Sequence, residues 1–169
     1  MKRRLGYSEY KPVIDRFVAL VEDALQDNLV SVVLYGSVAR GEARPESDVD
    51  LLLILEQASP VYWERLQLLM PILRRLRRLP CWKDLEAERI FPELNLIILS
   101  RPEAEQNRYL YLDMIEDSRV LLDREDFFHR RLQTLKARLL ELGARKVKQD
   151  GNWYWDLKPD LKPGEVVIL

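Results

Sequence analysis

Two short signals, each fed by an apolar run, constrain this 169-residue chain more than anything else in it. Gly36-Ser37 closes the run from Val30 to Tyr35, and Asp48-Val49-Asp50 opens the run that ends at Leu55. Each run reads as a buried strand. Residues i and i+2 of a strand share a face, so Asp48 and Asp50 are expected to project at one point, beside the Gly-Ser turn. An isolated Asp-x-Asp commonly caps a strand and faces water. Here Asp50 sits inside Val49-Asp50-Leu51-Leu52-Leu53-Ile54, where a carboxylate is costly unless it is paired or holds a metal. Paired carboxylates suit Mg²⁺, and a glycine turn lets phosphate oxygens approach the backbone. The pattern points to a site for a metal-bound nucleoside triphosphate.

The full stretch is Gly36-Ser37-Val38-Ala39-Arg40-Gly41-Glu42-Ala43-Arg44-Pro45-Glu46-Ser47-Asp48-Val49-Asp50-Leu51. It resembles the signature of the DNA polymerase β-like nucleotidyltransferase superfamily, and is most similar to its small stand-alone members, the minimal nucleotidyltransferases. The resemblance covers about Val30 to Leu99. It implies an α/β fold with a mixed sheet flanked by helices. It also implies transfer of a nucleoside monophosphate, AMP from ATP as the first choice, to an acceptor hydroxyl. Asp48 and Asp50 would hold two Mg²⁺ ions, and Gly36 and Ser37 the β- and γ-phosphates, helped by the N-terminus of the short helix expected there. Arg40 reads equally as a phosphate contact or a solvated residue.

The family pattern carries a third acidic residue, between two apolar ones, on a neighbouring strand. In this chain Leu94-Asn95-Leu96 stands at that place. An asparagine is no general base. Glu93 shares Asn95's face if the strand extends that far, and is the alternative carboxylate. The expected catalytic set is therefore Asp48, Asp50 and Glu93, with Gly36, Ser37, Arg40 and Asn95 on the nucleotide. The small family members include antibiotic nucleotidyltransferases and antitoxins that act beside a small all-helical HEPN partner protein. The resemblance implies either kind of acceptor. A module that binds nucleotide or partner without catalysis is the alternative class.

Composition narrows the rest. Hydrophobic content of 47% is ample for one packed core. No apolar run approaches the ~18 residues that span a bilayer. Cys81 is the one cysteine and His129 the one histidine, so no internal disulfide and no zinc site of such ligands is expected. A reduced, cytoplasmic setting is the simple expectation. A net charge of −1 gives no signal for wholesale nucleic-acid binding.

Periodicity and breakers organise the chain into a nucleotidyltransferase domain over residues 1–125 and a C-terminal helix and extended tail over 126–169. The second part is expected to pack on the same domain or on a partner. A first helix is expected with Ser8 as its cap and Ile14, Phe17, Val18, Val21 and Leu25 on one face. A third is expected from Val61 to Leu79, with Tyr62, Leu66, Leu69, Leu73 and Leu76 inward and Pro80 at its end. Another runs from Pro102 to Asp117. Arg74, Arg75, Arg77 and Arg78 read as a solvated face and His129 as structural. Trp153 and Trp155 are expected to share a face and anchor the tail.

Overall fold

The computed structural model describes residues 4–149, 152–162, 164–167 and 169. Of the basic start Met1-Lys2-Arg3-Arg4, only Arg4 falls within them. Helix α1 (Tyr7–Leu25) buries Tyr10, Val13, Ile14, Phe17, Leu20, Val21 and Leu25, the stripe that helical spacing dictates. Its cap is Gly6 rather than Ser8. The Gly6 N–H donates to the Glu9 carboxylate at 2.8 Å, so the acid one turn in satisfies the helix start.

Strand β1 (Leu29–Tyr35) leads into α2 (Gly36–Arg40), and β2 (Val49–Leu55) returns antiparallel to β1. Helices α3 (Tyr62–Leu76) and α4 (Pro80–Ala87) cross over to β3 (Leu94–Ser100), which pairs parallel with β2. Then come α5 (Arg101–Glu105), α6 (Tyr109–Asp117) and β4 (Arg119–Asp123), antiparallel to β1 on its other side. Helix α7 (Phe127–Glu141) and a separate hairpin of β5 (Arg145–Gln149) and β6 (Asn152–Asp156) follow. The sheet order is β3-β2-β1-β4, mixed as expected.

Strand alternation splits two cores. Val32, Leu34, Leu51, Leu53, Leu96 and Ile98 pack toward α1, α3 and α4. Val33, Leu52, Ile54 and Leu99 pack toward α6 and α7, where Tyr111 meets Phe128 edge to face at 5.3 Å.

Strand β3 lies at a sheet edge, and two of its carbonyls are met by α3. Tyr62 Oη donates to the Leu96 carbonyl and Arg65 Nη1 to the Ile98 carbonyl, each at 2.9 Å. Arg65 is 6% exposed and grips Glu103 of α5 through both terminal nitrogens, at 2.6 and 3.0 Å. That guanidinium, aided by Ser100, holds the Glu103 carboxyl down to about 2.

Several boundaries differ from those expected. The inward face of α3 is Arg65, Leu69, Ile72 and Leu76, with the expected Leu66 and Leu73 partly buried against the same core and Tyr62 45% exposed. Arg65 is stabilised there because every buried donor it carries toward the strand and α5 finds an oxygen. Pro80 starts α4 instead of ending α3, since the first helical turn needs no N–H from it. The helix expected from Pro102 to Asp117 is two, because Gln106 adopts an extended backbone (φ −76°, ψ 139°). The tail is a paired strand over Asn152–Asp156 rather than a lone extended run; Gly151 and Pro163 of that expectation lie outside the described residues.

Candidate active site

Three strands deliver one row of polar side chains. Tyr35 of β1 is the cross-strand partner of Asp50 of β2, and Asp50 is the partner of Asn95 of β3. All three lie on the α6–α7 face, in phase with Val33, Leu52 and Ile97. Asn95 Nδ2 donates to Asp50 Oδ1 at 2.9 Å. Asp50 Oδ2 lies over Gly36, where an added Cβ would come within 2.1 Å of it. Gly36 also has φ +73°, a conformation only glycine adopts cheaply. The glycine is thus required by the carboxylate beside it as well as by the turn.

Burial raises the Asp50 carboxyl above its ordinary range, and the charge of Asp48 adds to that; the Asn95 bond and Arg40 act the other way. Asp48 itself is exposed, one residue before β2. Burial pushes the Tyr35 phenol up to about 12, with Asp50 and Tyr62 contributing.

Helix α2 has only 5 residues, too short for a sizeable macrodipole, so an anion placed here would depend on individual N–H groups. Gly41 closes it in the left-handed region at φ +72°. The chain before α1 straps the far side. Leu5 and Ala43 exchange backbone hydrogen bonds at 2.9 and 3.0 Å, and Gly6 rests on Gly41, where a Cβ would be 3.1 Å from its Cα. Ser37 Oγ has no hydrogen-bond partner among the described residues. Arg40 pairs with Glu42 at 3.0 Å and remains exposed.

Asn95 lies within β3. Glu93 lies one residue before that strand, as Asp48 does before β2. Its carbonyl accepts from the Val49 N–H at 2.7 Å, and the residue lines a cavity of about 210 Å³ with Arg77, Trp82, Glu86, Phe91 and Pro92. The residue set against Asp50 is Asn95. A larger cavity, about 670 Å³, opens beside α2 between Arg40, the α6 carboxylates Asp113, Glu116 and Asp117, and Lys146 and Trp153 of the hairpin.

Tyr35 and the α6 carboxylates escape a sequence reading, because only strand register and tertiary packing bring them here. Arg74, Arg75, Arg77 and Arg78 are all exposed, and Arg77 lies over the Trp82 ring at 5.7 Å. His129 is exposed and bonds Gln133 on the same helix. Trp155 packs on the second core, whereas Trp153 is 61% exposed, with Lys148 Nζ 5.5 Å from its ring. No helix among the described residues is long and apolar enough to cross a membrane.

The oxygen donors of Asp48 and Asp50 fit a hard cation such as Mg²⁺. No group of three or more His, Cys, Asp or Glu that could hold a metal occurs among the described residues.

The nucleotidyltransferase domain model matches residues 15–143, and the chain belongs to that family and is a nucleotidyltransferase. It is 25% identical over 146 residues to a proposed protein adenylyltransferase of Methanocaldococcus jannaschii, spanning 83% of this chain and 90% of the relative. It is similar to a chain in the solved complex of the tri-AMPylated Shewanella oneidensis HEPN toxin with an MNT antitoxin, at 12% identity and TM-score 0.45, covering 79% and 92% of the two chains. It is also similar to the spectinomycin adenyltransferase of Enterococcus faecalis solved with ATP and spectinomycin, at 12% identity and TM-score 0.49, covering 78% and 66%.

Proposed function

We propose that the chain transfers AMP from ATP to a hydroxyl group of a protein acceptor. The observation that carries the nucleotide half is the Gly36 backbone held against Asp50, with Asp48 beside it. The protein acceptor is supported by the Methanocaldococcus jannaschii relative, of which the chain spans 90%. A small all-helical HEPN-type protein is the partner that the sequence resemblance implies.

In this reading the acceptor oxygen attacks the α-phosphorus. The new O–P bond forms as the bond from the α-phosphorus to the bridging oxygen breaks, and pyrophosphate leaves. The Gly36 and Ser37 N–H groups and Ser37 Oγ orient the β- and γ-phosphates, and Arg40, which acts on the charge of Asp50, offsets their charge. Asp48 and Asp50 would hold Mg²⁺, which would supply charge neutralisation to the departing pyrophosphate. Of the two ions implied by the resemblance, this leaving-group ion is the one that Asp48 and Asp50 would serve. Asn95 orients the acceptor side by holding Asp50. The acceptor proton passes either to Glu93 or to solvent water.

Glu93→Gln separates those two. As the general base, its loss cuts the rate by ~10²–10⁴. An unchanged rate removes Glu93 from the mechanism.

The test of the whole reading is incubation with α-labelled ATP, Mg²⁺, candidate helical acceptor proteins and spectinomycin. Label on a protein is the expected result. Label on spectinomycin alone overturns the protein acceptor. Bound nucleotide with no transfer to any acceptor makes the chain a binding module.

A further inference from the structure

We propose that Asn95 makes this a one-cation site: the chain takes a single divalent ion with its nucleotide, where an acid at position 95 would give it two. This rests on the nucleotidyltransferase reading and fixes the metal count of that site.

The geometry at Asn95 comes first. Its Nδ2 lies 2.9 Å from Asp50 Oδ1, from the register position directly across the strand pair. An ionised carboxylate only accepts, so the amide must turn its NH₂ toward Asp50 and its carbonyl oxygen away. An amide NH₂ gives no lone pair to a metal. The Asp50 oxygen that it engages also has one fewer lone pair to offer. Asp50 Oδ2 is the oxygen left for an ion, and it lies over bare Gly36 backbone.

Charge comes second. Two divalent ions at the ~3.5–4 Å spacing of a two-metal site repel each other, and carboxylates hold them together. No group of three or more acids, histidines or cysteines that could hold a metal ion occurs among the described residues. A lone Mg²⁺ asks for less. It is commonly bound by one or two carboxylates plus substrate phosphates. Asp48 and Asp50 with a triphosphate meet that requirement.

Asn95 therefore does two things at once. It pins Asp50 in the orientation that faces the nucleotide ion. Its outward carbonyl oxygen is an acceptor for the incoming hydroxyl, in the place of the second ion. The residue is a metal-count determinant and a positioning residue.

The experiment counts manganese by electron paramagnetic resonance on the full chain with α,β-methylene ATP, whose α–β bridge cannot break. One Mn²⁺ per chain is expected for the natural protein and for Asn95→Ala. Two are expected for Asn95→Asp, with the broadening that a close spin pair produces. Two ions of similar affinity in the natural protein or in Asn95→Ala overturn the inference. One ion in Asn95→Asp overturns it as well, because residue 95 then does not set the count; a thermal melt of that variant confirms that it is folded. Failure of the natural protein to retain the analogue overturns the nucleotide reading itself, and this inference with it.

Discussion

Against α1, α3 and α4 the main sheet presents Val32, Leu34, Val49, Leu51, Leu53, Leu96 and Ile98, apolar from one end to the other. Against α6 and α7 it presents Val33, Leu52, Ile54 and Leu99, and then a terminal row of Tyr35, Asp50 and Asn95. The same strands supply both faces. Alternation lets one face stay a continuous core while the last row of the other gives up apolar packing for chemistry. The raised Asp50 carboxyl shows what this costs: burial opposes the ionised form that would hold a cation. One side of the backbone layer thus carries packing alone, and the other carries packing together with the polar row.

That division breaks most visibly at the carboxylates. Replacing Asp48 and Asp50 together by Asn should lower transfer by ~10²–10³ for each lost group and abolish the Mg²⁺-dependent rise in melting temperature given by ATP. The melting temperature of the nucleotide-free protein should hold or rise, since a half-buried charge has gone. A large fall there would mean that the row is structural.

The opposite face should behave the other way. Leu53 is fully buried on it, and Leu53→Ala should cost about 2–5 kcal/mol in a denaturant titration. Nucleotide affinity of the folded fraction should not change. A selective loss of affinity would show that the two faces are coupled.

Gly36→Ala joins the two faces' concerns at one residue. The left-handed backbone alone costs roughly 1–2 kcal/mol in an L-residue, and the new methyl would meet Asp50 Oδ2. In an Asp50→Ala background the steric part should disappear and the backbone part remain. A double-mutant cycle with no coupling between the positions would refute the contact.

The smallest effect is at the β3 edge, and it depends on pH. The Glu103 carboxyl is held at about 2 against an ordinary 4.5. A depressed carboxyl stabilises the fold above its unfolded value, and that share is lost as pH falls from about 4.5 to about 2. Melting temperature measured across this window should fall more steeply in the natural protein than in Glu103→Gln. Parallel curves would remove the Arg65 pairing from the stability of this edge.

Much of this arrangement is legible in the chain. Val30–Tyr35, Asp48–Leu55 and Leu94–Leu99 stand out as buried runs and agree within one residue with β1, β2 and β3. Asp48, Asp50 and Gly36 are legible because their spacing lies within one strand–turn–strand unit. The row itself is not, since Tyr35 and Asn95 meet Asp50 only through register across strands. Arg65 is invisible for a related reason. Its partner Glu103 comes 38 residues later, so the helical stripe alone reads it as a solvent-facing charge. Proline is ambiguous at the local level, because it serves equally to end one helix and begin the next, as Pro80 does. The hairpin of β5 and β6 needs a partner strand that no alternation within Trp153-Tyr154-Trp155 announces.

The carbonyls of Leu96 and Ile98 on β3 have a consequence for crowding. A sheet recruits a foreign strand through backbone groups left open along its border. On this border Tyr62 and Arg65 already occupy two of them. An incoming strand would have to displace a buried guanidinium together with its carboxylate, a far costlier exchange than displacing water. At high protein concentration this side of the molecule is therefore protected from fibrillar stacking by the same two side chains that fasten α3 to the sheet.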